Sequence, residues 1–172
     1  IAEVMVKRRL RVAFFSTGDE LCSIGTPLSE GEVYDSNRYT LFGMLTRLGC
    51  EVVDLGVVRD RPEAIEAAFR EAAARADAII TSGGVSVGEA DFIRGLMTQL
   101  GEVAFWKIAM RPGRPMAFGR IGNSWLFGLP GNPVAVMVTF YEFVREALLR
   151  LSGVDPVEPL PRFRLPCVSA LK

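Results

Sequence analysis

The segment Thr81 to Asp91, TSGGVSVGEAD, follows the apolar run Ala78-Ile79-Ile80 and gathers glycines, hydroxyls and two carboxylates into one turn. Glycine accepts backbone angles closed to other residues, so Ser82-Gly83-Gly84 can aim successive N–H groups at an anion, with Thr81 and Ser86 adding hydroxyls. Glu89 and Asp91 would repel a phosphate unless a cation lay between them, which points to Mg²⁺ beside the anion. Other polar segments carry related chemistry. Thr17-Gly18-Asp19-Glu20, Arg59-Asp60-Arg61 and Pro130-Gly131-Asn132-Pro133 each follow an apolar run, and Lys107 stands just before Arg111-Pro112-Gly113-Arg114. The acids Asp19, Glu20, Asp60 and Asp91 suit a hard cation; Lys107, Arg111 and Arg114 suit a phosphate or oxyanion, arginine offering a two-pronged grip. Singly, each segment is explained by a turn or a helix cap. Their convergence on one sheet edge is what implies a ligand.

For these segments to meet, the elements before them must end at a common edge. Val12 to Ser16 reads as a buried strand, Asn37 to Leu48 as a helix stopped by Gly49, and Glu51 to Val58 as a second strand. Pro62 opens a helix that repeats apolar residues at helical spacing through Arg75, and Asp77 to Thr81 is a third strand. A helix is expected from about Ala90 to Leu100, ended by Gly101, then a strand from Val103 to Ile108. Met116 to Ile121 and Trp125 to Leu129 form a hairpin turning at Gly122-Asn123. Asn132 and Pro133 start a helix reaching Gly153 that is apolar on nearly every face, so burial in the core or against a partner is expected. Alternating strands and helices predict an α/β three-layer sandwich, mostly parallel, with an antiparallel hairpin. In open parallel sheets, ligands gather at the carboxyl ends of the strands. Residues 1–153 are expected to form this domain. Residues 154–172 read as a proline-rich link and the start, from Arg162 to Val168, of a truncated C-terminal β domain of a longer protein.

With 172 residues, 49% hydrophobic, and a mean hydropathy of +0.25, the chain can bury one large core. Twenty basic residues balance 20 acidic ones, so no global field favours nucleic acid or an acidic membrane. No apolar run is long enough to cross a bilayer and the first residues do not read as a signal peptide, so a cytoplasmic location is expected. Cys22, Cys50 and Cys167 are odd in number and far apart, which fits reduced thiols. The absence of histidine excludes Ser/His/Asp and Cys/His catalysis and any His-ligated metal. GxxxxGK[ST] is missing, and no GxGxxG follows the first strand.

STGDEL (Ser16 to Leu21), YDSNR (Tyr34 to Arg38), Arg59-Asp60, TSGGVSVGEAD, Lys107 with RPGRP (Arg111 to Pro115), and GLPGNP (Gly128 to Pro133) occur in that order. In this series the chain resembles the molybdopterin molybdotransferases, the MoeA proteins, whose eukaryotic counterpart is the gephyrin E domain. The resemblance implies the molybdopterin-binding, MogA-like fold. It also implies insertion of molybdate into adenylylated molybdopterin with release of AMP, assisted by Mg²⁺. By the same resemblance Glu20, Asp60 and Asp91 are the functional acids, with Asp60 and Asp91 holding the cation and Glu20 positioning the attacking group. Lys107, Arg111 and Arg114 would bind molybdate or phosphates, and Ser82, Gly83, Gly84 and Ser86 would cradle the pterin's phosphate. Thr17, Gly18, Asp19, Asp35, Asn37, Gly88, Pro112, Gly113, Pro130, Gly131, Asn132 and Pro133 complete the implied substrate site. The family implies a homodimer in the full-length protein, and little or no activity for this part alone. Rival readings are a molybdopterin adenylyltransferase of the same fold and a scaffold module that recruits protein partners.

Overall fold

The run Val12-Ala13-Phe14-Phe15 has no polar face, and in the structure, a computed structural model, all four side chains are fully buried. The structure describes residues 2–83, 91–166 and 168, apart from the side chains of residues 91–94, 105 and 106. In chain order the elements are β1 (Arg11–Thr17), β2 (Leu21–Cys22), β3 (Val33–Tyr34), α1 (Ser36–Arg47), β4 (Glu51–Val58), α2 (Pro62–Arg75) and β5 (Ala78–Ser82). They continue with α3 (Asp91–Leu100), β6 (Gly101–Lys107), β7 (Pro115–Ile121), β8 (Ser124–Leu129) and α4 (Pro133–Thr139). A π-helical turn (Phe140–Val144) then leads into α5 (Arg145–Ser152).

Six strands form one sheet in the order β4-β1-β5-β8-β7-β6. The pairs β4/β1, β1/β5 and β5/β8 are parallel; β7 runs antiparallel to both β8 and β6. The alternation of side chains along β1 builds a core on each face, as the pleat dictates. Val12 and Phe14 pack with Leu41, Leu45, Val136, Phe140 and Leu148. Ala13 and Phe15 pack with Ile65, Phe69 and Ala72, and the Phe15 and Phe69 rings meet edge to face at 5.1 Å. This is the expected three-layer α/β architecture with its antiparallel hairpin.

Local differences have physical causes. Gly101 does not sit beyond the helix as a stop; it opens β6 directly after α3 and pairs with Ile121. The long apolar helix is buried along one stripe only. Ala135, Val136, Phe140, Val144 and Leu148 face the sheet, while Val134 and Met137 remain exposed, because a helix in an outer layer has a single sheet to cover. Residues 162–166 carry no regular structure. Cys22 and Cys50 are free thiols, and burial pushes that of Cys50 up from its usual value. No helix among the described residues is long and apolar enough to cross a membrane.

At the opposite edge of the sheet, Arg8 donates to both carboxylate oxygens of Asp77 at 2.7 and 2.5 Å, and the Arg11 backbone N–H donates to the same carboxylate at 2.9 Å. The hydrogen bond from Arg8 holds the Asp77 carboxyl below its ordinary value. A folded-state value below the unfolded one stabilises above about pH 4, and that contribution is lost as the pH falls through the lower folded value. Asp77→Asn is therefore expected to melt below the wild type at neutral pH, with the gap closing in strong acid. Parallel melting curves at both pH values check this.

Candidate functional site

Strand direction decides which loops meet. Since β4, β1, β5 and β8 are parallel and β7 is antiparallel, the carboxyl ends of the first four share an edge with the amino end of β7 and the carboxyl end of β6. That edge carries Arg59-Asp60 after β4, Thr17 to Glu20 after β1, Ser82-Gly83 after β5 and Pro130 to Asn132 after β8. It also carries Arg111 to Arg114 before β7 and Lys107 at the end of β6. Asp19, Glu20 and Asp60 stand on the β4/β1 side with Arg59 beside them, and Lys107, Arg111 and Arg114 stand on the β7/β6 side. From β1 to β7 is three strand spacings, about 14 Å. A ligand engaging both groups must be extended.

On the acidic side, the Asp19 carboxylate accepts the Asp60 backbone N–H at 3.2 Å, and Arg59 donates to the Asp19 carbonyl. Glu20 folds back over Gly18, where a Cβ would lie 2.6 Å from its carboxylate. Carboxylate oxygens are hard ligands of the kind a Mg²⁺ ion would take. Among the described residues no three acidic side chains surround one point. Gly84, Ser86, Gly88 and the Asp91 side chain lie outside the described residues, although Asp91 opens α3.

In the middle, the hydroxyls of Ser16 and Ser82 are 2.8 Å apart in the buried seam between β1 and β5. Gly83 adopts φ +89° and donates its N–H to the Leu129 carbonyl at 3.1 Å, tying the ends of β5 and β8 together. Asp35 caps α1, its Oδ1 accepting the Arg38 N–H at 3.1 Å. Among the described residues, the buried Thr17 Oγ1, Thr81 Oγ1, Asn37 Oδ1 and Asp35 Oδ2 have no hydrogen-bond partner. All belong to the carboxyl ends of β1 and β5 or to the start of α1. Such atoms are rare in folded proteins, where a water, an ion or a ligand completes them.

On the basic side there is a cavity of about 480 Å³ walled by Met110, Arg111, Pro112, Gly113, Arg114 and the Pro130-Gly131-Asn132 loop. Lys107, Arg111 and Arg114 are exposed, and no carboxylate among the described residues pairs with them. The loop has little freedom. Gly113 has φ +100°, and a Cβ there would come within 2.7 Å of Thr139 Cγ2 on α4 and 2.6 Å of Met110 Cε. The Ile108 N–H bonds the Arg114 carbonyl at 2.7 Å across its base. Two unpaired guanidinium groups over a pocket suit a tetrahedral oxyanion or a phosphate.

The model of the probable molybdopterin binding domain matches residues 13–150. The chain belongs to this family. It is 50% identical over 163 residues to a molybdopterin molybdenumtransferase of Haemophilus influenzae, covering 95% of this chain and 40% of that protein. Among solved structures, a molybdopterin biosynthesis MoeA protein from Pyrococcus horikoshii is 36% identical with a TM-score of 0.77, over 85% of this chain and 36% of that one. A molybdopterin biosynthesis Mog protein from Mycobacterium ulcerans, 20% identical with a TM-score of 0.60 over 84% of this chain and 99% of that one, shares the fold. The chain thus spans about two fifths of the curated relative's length.

Within this molybdopterin-binding domain, three positions at the site escaped sequence reading. Met110 and Ala135 line the basic cavity and Thr139 packs beneath Gly113. Ala135 and Thr139 had a signal in their helical spacing from the Asn132 cap. Met110 had none, because its place depends on how the loop folds back onto α4.

Proposed function

We propose that this chain is the substrate-binding domain of a molybdopterin molybdotransferase, which inserts molybdate into adenylylated molybdopterin and releases AMP with the help of Mg²⁺. The observation that carries the reading is the Arg111–Arg114 pair over the 480 Å³ cavity, with no carboxylate partner among the described residues and on the same sheet edge as the acid and glycine loops. Adenylylated molybdopterin is long and carries phosphates, and a site with carboxylates at one end and guanidinium groups at the other suits it. Both reactants are anions, so neutralising and positioning them is most of what the protein must contribute. In this reading Lys107, Arg111 and Arg114 hold the molybdate or phosphate oxygens, and Ser82, Gly83, Gly84, Ser86 and Gly88 cradle the pterin's phosphate. Glu20 orients the attacking group. Asp60 and Asp91 hold the cation, whose chemistry when bound is to offset charge developing on the leaving phosphate. The full-length protein is a homodimer in the cytoplasm in this reading. The outer faces of α1 and α4, packed side by side, leave Tyr39, Phe42, Val134 and Met137 exposed, which supports burial against a partner.

Titration of the full-length protein with adenylylated molybdopterin, with and without Mg²⁺, tests the assignment. Binding is expected to strengthen with Mg²⁺, and Asp60→Asn and Asp91→Asn are each expected to remove that dependence. Binding indifferent to Mg²⁺ and to both substitutions would overturn the cation site; no binding at all would overturn the substrate.

A further inference from the structure

We infer that Asn37 is a positioning residue for the two-arginine cavity, holding one of its walls in place without touching the ligand. The inference rests on the oxyanion reading of that cavity. Asn37 lies in the first turn of α1, is 6% exposed, and does not line the cavity. Its Nδ2 donates to the Gly131 carbonyl at 2.7 Å, joining positions 94 residues apart. Gly131 does line the cavity.

The chemistry of that carbonyl gives the contact its importance. A free carbonyl oxygen in the wall would repel an oxyanion; bonded to Asn37, it is committed to α1 instead. The stretch 129–132 is held by several hydrogen bonds, the helical one from the Val136 N–H to the Asn132 carbonyl at 2.9 Å among them. The Gly83 N–H takes the Leu129 carbonyl at 3.1 Å, Asn37 takes the Gly131 carbonyl, and Asn132 Oδ1 accepts the Ala135 N–H at 3.1 Å. The first is a backbone pairing and the last a local helix cap. Among the described residues, only Asn37 brings a side chain from another helix. It does so at a cost, because its Oδ1 is buried with no partner among the described residues. A carbonyl latch needs the amide donor and tolerates the idle acceptor. Preorganising a wall in this way raises affinity by sparing the ligand the work of ordering it.

The test titrates tungstate, a stable analogue of molybdate, into the wild-type chain and into Asn37→Ala, Asn37→Asp and Thr40→Ala. Amide hydrogen exchange at residues 131–135 is followed in the same samples. Asn37→Asp keeps the shape and replaces the donor by an oxygen. Thr40→Ala removes a bond confined to α1, from Thr40 Oγ1 to the Ser36 carbonyl at 3.0 Å, and serves as the control. Both Asn37 variants are expected to bind tungstate roughly ten-fold more weakly and to exchange faster at residues 131–135. Thr40→Ala is expected to do neither. Unchanged exchange in the Asn37 variants overturns the latch. Faster exchange with full affinity overturns its role in the cavity. If the wild-type chain takes no tungstate, the oxyanion reading falls, and faster exchange at residues 131–135 still supports Asn37 as the residue holding that wall.

Discussion

Replacing Arg111 and Arg114 together by glutamine is expected to abolish measurable oxyanion binding while leaving the fold intact. Among the described residues, the two guanidinium groups are the only cations that line the cavity, and no carboxylate competes for them. A charge-assisted hydrogen bond contributes about 1.5–3 kcal/mol, so the pair accounts for roughly 3–6 kcal/mol, or about a hundred-fold to ten-thousand-fold in affinity. Both residues are exposed, and surface substitutions without partners usually shift stability by no more than about 0.5 kcal/mol. Calorimetric titration with tungstate, paired with a denaturation curve, separates the two effects. Arg120→Gln is the control, since Arg120 stacks on Trp125 and is remote from the cavity lining. Lysine at both positions should give an intermediate loss, because it keeps the charge and gives up the planar fork. Wild-type affinity in the double glutamine variant would remove these arginines from the site.

Two glycines on the same edge should respond very differently to alanine. At Gly83, φ is +89° and a Cβ would lie 2.7 Å from the Thr17 carbonyl oxygen and 3.0 Å from its hydroxyl. The obstacle is backbone, and it cannot retreat easily: Gly83 is tied to Leu129, and Thr17 belongs to a strand paired on both sides. Left-handed strain together with that overlap predicts a loss of about 2–4 kcal/mol for Gly83→Ala. Gly131 has no positive φ, and a Cβ there meets nothing nearer than the Gly83 Cα at 3.8 Å, an ordinary contact. Gly131→Ala is expected to stay within about 1 kcal/mol of wild type. Urea midpoints measured at equal slope decide the matter; equal costs at the two positions would mean that the Gly83 turn is not held as described.

Much of this was legible in the residues. The six strands of the main sheet appear where apolar runs stop at polar turns, within a residue or two of their expected ends, because a buried strand cannot hide its lack of polar positions; the short strands β2 and β3 were not expected, and residues 162–166 form no strand. Asn132-Pro133 announced the start of α4, and Pro62 that of α2, since both pairings of residue and position answer to backbone geometry alone. The π-helical turn at Phe140–Val144 left no trace in the sequence, as it reflects how the helix settles on the sheet. Nor did the cap at Asp35 separate itself from a ligand contact, because one carboxylate can serve either end.

By itself, the sequence determined the kinds of chemistry available: acids, glycine turns and a basic loop, each following an apolar run, with no histidine to take part. These are local properties, set by residue type and by the period of the apolar pattern. Only the tertiary structure decided their spatial order. The sheet runs β4-β1-β5-β8-β7-β6, so Asp19, Glu20 and Asp60 stand at the opposite end of one edge from Arg111 and Arg114, and Asn37 comes to rest against Gly131. That order follows from which strands pair once helices cover both faces of the sheet. Pairing of this kind links residues far apart along the chain, where no local pattern can reach.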